Sequence, residues 1–462
     1  MRTLIKNGTV VTASDSFAAD VWIDGERIVG VVDASRRGAF KAERELDATG
    51  KLVMPGAIDV HTHLDMPFMG TASKDDFETG TIAAAHGGTT TLVDFAIQSR
   101  GSSLRAGLDA WHEKAEGKAA IDYGFHMIMS DVTDVALKEM GAMVDEGVTS
   151  FKLFTAYPGA LYSDDGQILQ ALQRAAGLGA LVSVHAENGI AIDVLVAQAL
   201  ARGETAPRFH ALSRPEIAEA EATHRVLCLA ELAGAPIYIV HLTARRAYEE
   251  IVRFRDRGLP VFAETCPQYL FTSEDDINRE GFEGAKYVCS PPVRPKEMAE
   301  DLWRGLRTGH LQVVATDHCP FDYVGQKDAG REAFTKIPNG MPTIETRLHL
   351  LWDGGVRTGR ITPNRFVELV STAPAKLFGL HPRKGCVAVG ADADLLLWDP
   401  EHEHVLNAKD LHMRVDYSPY EGRVVHGAAS HVLSRGEVII ENGAFKGQAG
   451  AGRYLKRQTT SY

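Results

Sequence analysis

Hydrophobic and polar positions fall into three regimes along the chain. From residue 1 to about 53, short runs alternate apolar and polar residues and are punctuated by turn residues. That is the period of half-buried strands. The run 3–11 carries a turn signal at Asn7-Gly8, the runs 19–25 and 27–32 flank Asp24-Gly25 as in a hairpin, and 46–53 closes the set. From Met54 the period changes. Short apolar runs at 57–60, 89–94, 122–127, 150–153, 181–185, 237–241, 261–264 and 313–316 alternate with Ala/Leu/Glu-rich stretches such as 165–177, 218–233 and 244–257. These predict eight strands separated by helices. After about residue 383 short strand patterns return, clearest at 390–398 and 434–440.

Eight strand–helix units predict an α/β fold, a (β/α)8 barrel with insertions. A doubly wound sheet is the rival, but no Gly-x-Gly-x-x-Gly follows an early strand. Neither β-rich end holds enough apolar residues for a core of its own. The economical arrangement is a small β-sandwich domain from residues 1–53 and 384–462, with the catalytic barrel, 54–383, inserted between. The Gly- and Arg-rich stretch 447–462 reads as a tail available to a neighbouring subunit.

Barrel enzymes place their chemistry at the C-terminal ends of the strands. The first strand runs into Val60-His61-Thr62-His63-Leu64-Asp65. Residues two apart share a face, so His61 and His63 project together. One isolated His-x-His is more often two ordinary histidines. Here the fourth strand adds Lys152, the fifth His185, the sixth His241 and the eighth Asp317. Four His and one Asp at one mouth suit a divalent metal, best zinc. Lys152 stands apart, because an ammonium has no lone pair to offer a metal. The residues alone leave two readings for it, an unrelated lysine or a neutral or modified ligand. The other histidines, including His86, His112, His126, His210 and His349, are read as structural residues of helices or loops. His318 is expected to point away from Asp317.

Composition narrows the class of partner. The 462 residues carry a net charge of −12 with no basic block, which argues against nucleic acid. No apolar run approaches a membrane span, and Lys6 and Asn7 interrupt the opening apolar segment, unlike a secretory signal. The five cysteines are scattered, odd in number and lack a Cys-x-x-Cys, as expected for reduced thiols in the cytoplasm.

The motifs Pro55–Asp65, Gly87-Gly88-Thr89-Thr90-Thr91, Ser150-Phe151-Lys152-Leu153, Val184-His185-Ala186-Glu187-Asn188, Ser213-Arg214-Pro215-Glu216, Ser290-Pro291-Pro292-Val293-Arg294, Thr316-Asp317-His318-Cys319-Pro320 and Ile337-Pro338-Asn339-Gly340 together resemble the cyclic amidohydrolases of the hydantoinase/dihydropyrimidinase group, over nearly the whole length. The resemblance implies hydrolysis of the ring amide of 5-substituted hydantoins or 5,6-dihydropyrimidines to N-carbamoyl amino acids. It implies two metal ions, His61, His63 and Asp317 on the first, His185 and His241 on the second, and Lys152, carboxylated by carbon dioxide, bridging them. Tyr157 would then stabilise the oxyanion, Asp317 would move the proton, and Ser290 and Asn339 would hold the ring amide. A homotetramer, or a dimer, is implied as well. No cation follows His63, unlike dihydroorotases, which bind an anionic substrate. Leu64, Met66, Phe68, Phe154, Tyr157 and Tyr162 suit an apolar ring substituent instead. Allantoinase, a non-catalytic scaffold of the same fold, and a mononuclear deaminase are the alternatives.

Overall fold

The computed structural model describes residues 1–33, 35 and 41–462. Eight parallel strands form one sheet: β1 (Ala57–Thr62), β2 (Thr89–Ile97), β3 (Asp122–Ile128), β4 (Ser150–Phe154), β5 (Leu181–His185), β6 (Ile237–Ile239), β7 (Val261–Thr265) and β8 (Val313–Val314). They pair strictly in chain order. The expected helices form as Asp165–Gly177, Glu216–Ala233 and Arg245–Asp256 on the connections. The strands read as near-continuous apolar runs because both faces are covered.

The ladder closes into a barrel between β1 and β8, and side chains do much of the closing. Asp59 on β1 accepts from the Thr316 hydroxyl at 2.6 Å and its amide at 3.2 Å. The His63 amide donates to the His318 carbonyl at 2.9 Å. Arg347, fully buried, donates to the carbonyls of Ile58 and Val314 and to the Thr89 hydroxyl, each at 3.0 Å. One guanidinium thus ties β1, β2 and β8, using the fork of donors that lysine lacks.

A second sheet draws strands from both ends of the chain, including Arg2–Val11, Ser16–Asp24, Arg27–Val32, Leu395–Leu406, Arg423–Ser434 and Glu437–Glu441. Its core joins Ile5, Val21 and Ile28 to Leu395, Leu397 and Leu433. The Asp24-Gly25 hairpin forms as expected, with Asp24 paired to Arg27. Asn7-Gly8 is not a turn. Asn7 takes a left-handed φ of 65° inside one continuous strand and makes a bulge there. The run 46–53 is likewise two strands, Arg44–Asp47 and Leu52–Pro55, because Asp47 turns the chain by accepting from Thr49.

The stretch from 447 is largely committed to its own chain. The Leu455 amide donates to the Tyr123 carbonyl, and the Leu455 side chain packs with Val60, Val93 and Leu181 inside the barrel. Arg457, buried, donates to the Ser150 hydroxyl at 2.8 Å and to the Phe125 carbonyl. Beside this floor Lys384, 1% exposed, contacts Asp122 at 2.7 Å, Asp394 at 2.6 Å and Asp392 at 3.0 Å. This joins the barrel to the second sheet. Removing one partner from a buried charge cluster costs about 3–5 kcal/mol. Lys384→Met is expected to lower the unfolding free energy by about that amount; an unchanged denaturant midpoint would refute the role.

Candidate metal centre

The stretch after β1 is clamped from behind. Asp94 on β2 accepts from the Thr62 hydroxyl at 2.7 Å, the Leu64 amide at 2.9 Å and the Trp111 indole at 2.9 Å. Thr62 faces that clamp, so by the strand alternation His61 and His63 face the barrel interior. Their Nε2 atoms lie 3.2 and 3.3 Å from the same oxygen of Asp317. Lys152, 1% exposed, reaches from β4 to within 2.9 Å of His61 Nε2 and sits over the Phe95 ring. Across the mouth, His185 Nδ1 faces His241 Nε2 at 3.0 Å. All six expected ligand residues therefore meet at one end of the barrel.

Two of the imidazoles are oriented from the rear by carboxylates. His61 Nδ1 meets Glu264, and His185 Nε2 meets Glu187 at 2.8 Å. A carboxylate behind a histidine fixes the tautomer and aims the opposite nitrogen at a metal. Neither carboxylate stands out in the sequence. Glu264 is the next-to-last residue of β7, and Glu187 lies two residues past His185.

Electrostatics suit cation binding. Burial, then Lys152, holds His61 well below the usual imidazole range. Burial, then His185, does the same for His241, and burial lowers His63. Neutral rings keep lone pairs free. Burial alone would raise Asp317, but His61 and His63 hold it below the ordinary carboxylate value. Burial pushes Lys152 down to about 8. A divalent ion fits these residues: one ligand atom each from His61, His63 and Asp317 lies within 4.8 Å of the other two, and His185 and His241 bring two more imidazoles to the same mouth. Three of the residues here, Tyr157 (φ 62°), His241 (φ 40°) and Asp317 (φ 50°), hold left-handed backbone. Such strain collects at functional sites.

A cavity of about 610 Å3 opens above the centre, within the size range of small-molecule sites. Met66, Phe68, Phe154, Tyr157, Ser290 and Asn339 line it. Leu64 does not. It is fully buried beneath the mouth, in the core cluster that contains Phe77 and Ala83. Tyr162 also lies off the cavity, bridged to Phe154 along the chain. Asn339 Nδ2 donates to the Ser290 hydroxyl at 3.1 Å.

His318 turns away as expected, with Nε2 3.0 Å from Asp75 and Nδ1 accepting from the Thr343 amide. His126 lies on β3, not in a helix or loop, and bonds Ser150 and the Val60 carbonyl. His210 reaches the cavity wall. Among the described residues a second group, His86, Glu345 and His412, also brings ligand atoms together. Its two rings stack 3.4 Å apart at 7°, so their lone pairs lie in two parallel planes that do not meet. In the main centre the pairs His61/His63 and His185/His241 cross at 71° and 76°, so their lone pairs can converge on one ion.

The model of the amidohydrolase family matches residues 52–439. The chain is 58% identical over 463 residues to a D-hydantoinase of Streptomyces coelicolor, covering 100% of this chain and 99% of that protein. It is 52% identical to a D-hydantoinase of Geobacillus stearothermophilus, covering 99% and 97%. A solved dihydropyrimidinase from Brevibacillus agri has a TM-score of 0.98 at 51% identity, covering 100% of both chains.

The rear carboxylates supply a direct test. Loss of such a partner typically weakens metal affinity about 10–100-fold. Glu264→Gln is expected to lose metal to a chelator at correspondingly lower concentration, measured by metal analysis after dialysis. Retention equal to the parent would remove Glu264 from the centre.

Proposed function

The chain belongs to the amidohydrolase family, and from that premise we propose that it hydrolyses the ring amide of 5-substituted hydantoins and 5,6-dihydropyrimidines, giving N-carbamoyl amino acids. The observation that carries this reading is the convergence of His61, His63, Lys152, His185, His241 and Asp317 beneath a largely apolar cavity.

His61, His63 and Asp317 would hold one divalent ion, and His185 and His241 a second. Zinc suits the imidazole-rich set. Lys152, carboxylated on Nζ by carbon dioxide, would bridge them; the carbamate replaces a cation facing His61 with an anion. When bound, the ions supply a water of lowered pKa and polarise the scissile carbonyl.

The chain's own groups do the rest. Asp317, on the cavity wall, takes the proton of the attacking water and returns it to the leaving ring nitrogen. The C–N bond breaks, hydroxyl stays on carbon, and nitrogen gains the proton. Tyr157 donates its hydroxyl to the oxyanion; burial raises it to about 12, so it keeps its proton. Ser290 and Asn339 hold the ring amide. Met66, Phe68 and Phe154 receive the exocyclic substituent and exclude water from it.

The D enantiomer is the proposed hydantoin substrate, by likeness to the two D-hydantoinases. A homotetramer is the proposed assembly, and the cytoplasm the proposed compartment. Ile190, Val194, Leu212 and Ile217, exposed around the helix Gly189–Ala201 and its successors, support a buried subunit contact. All five cysteines are free, which fits a reducing compartment.

Zinc-loaded protein is expected to open D-5-phenylhydantoin far faster than the L form, with dihydrouracil also turned over and allantoin not. Turnover of allantoin alone would favour an allantoinase, and turnover of none a scaffold. Lys152→Ala should lose both metal and activity; full rate in that variant would favour a mononuclear deaminase. Tyr157→Phe should keep its metal and lose about 10²–10³ in kcat, the usual cost of one oxyanion donor.

A further inference from the structure

Lys327 is a buried amine that none of the chemistry above uses. It opens a short turn, Lys327–Gly330, and is fully buried. Among the described residues no carboxylate pairs with it. Its Nζ donates instead to two backbone carbonyls, Val288 at 3.1 Å and Pro338 at 3.0 Å. Burial pushes it down to about 7. An unpaired buried amine is costly to keep, so its location is informative.

The Pro338 carbonyl belongs to the same peptide unit as the Asn339 N–H. The Val288 carbonyl also accepts the Gly340 amide at 3.0 Å, so Lys327 sits at the junction of the loop 288–290 and the loop 338–340. A matching arrangement lies behind Ser290. The Cys289 carbonyl, in the same peptide unit as the Ser290 N–H, faces His210 Nε2 at 2.8 Å. His210 Nδ1 accepts from Arg214 at 3.2 Å, which leaves Nε2 as the donor. Ser290 and Asn339 both line the cavity, and the peptide unit that ends in the N–H of each has its carbonyl capped by a buried donor. A hydrogen bond accepted by a carbonyl polarises its peptide and strengthens the N–H on the other side.

We propose that Lys327 and His210 are positioning residues that fix and polarise the Asn339 and Ser290 peptide units which grip the substrate's ring amide. The inference rests on the ring-opening reading given above. The contact exists in both the bound substrate and the transition state, so its loss acts on binding more than on the chemical step.

The test is a kinetic comparison on dihydrouracil and D-5-phenylhydantoin, with metal content and melting temperature measured on each variant. Lys327→Met removes both hydrogen bonds at similar volume. It is expected to raise KM about tenfold with kcat within about threefold, the pattern of lost uniform binding. Lys327→Gln keeps one amide donor and is expected to recover KM to within about threefold of the parent, as restoring one hydrogen bond of about 1 kcal/mol would. His210→Phe, which has no donor, should shift KM in the same direction. A folded, metal-replete Lys327→Met with unchanged KM overturns the proposal. So does a variant whose melting temperature falls while KM holds, because that marks a purely structural lysine. If Lys327→Met does not fold, His210→Phe decides alone: a parental KM in that folded, metal-replete variant overturns the proposal. Parent protein that opens neither ring fails the ring-opening reading itself, whereas active parent with unmoved variants fails only this inference.

Discussion

The hydrogen bonds from Thr316 to Asp59 are the constraint on which the rest hangs. They close the barrel at the one seam where its strands are not sequence neighbours. The same seam sets His61 and His63, at the end of β1, against Asp317, just past β8. Were the barrel left open, the first and last ligands would lie at opposite edges of a sheet. Arg347 reinforces the closure below and the His63–His318 backbone bond above. Fold closure and assembly of the His61, His63 and Asp317 cluster are thus one event.

Desolvation then gives these residues their chemistry. Imidazoles that would be partly protonated in water are held neutral by burial, and the lysine among them is pressed toward its neutral form. Carboxylates stand behind the imidazoles, where they orient without competing for the ion. Strained backbone at Tyr157, His241 and Asp317 is the mark of a site whose positions are dictated by the surrounding frame.

Most of this is legible in the sequence, because strand ends in a barrel point to one place and period-2 alternation says which residues face it. His61, His63, Lys152, His185, His241 and Asp317 can be read off strand by strand. What stays hidden is whatever depends on distant packing. Glu264 is an ordinary strand-end acid until His61 is seen in front of it. Leu64 looks like cavity lining but is drawn under the mouth when its amide bonds Asp94. Asn7-Gly8 has the composition of a turn, yet pairing on both flanks keeps the strand running through it. Lys327 gives no signal at all, since its partners are backbone carbonyls. Identity of side chains carries the first group; only their surroundings carry the second.

The sealed floor has a consequence for how the molecule comes to exist. Leu455 and Arg457 enter the barrel from below, and the second sheet needs strands from both ends of the chain. On a ribosome the eight barrel strands emerge long before their floor does. Until then Val60, Val93 and Leu181 lack a lid, and the strands near the N-terminus wait for partners nearly 400 positions downstream, such as Leu395 and Leu397. Such non-local pairing slows folding and leaves apolar surface uncovered in the meantime. The barrel therefore gains its last packing contacts only after synthesis has passed its last strand by more than a hundred residues.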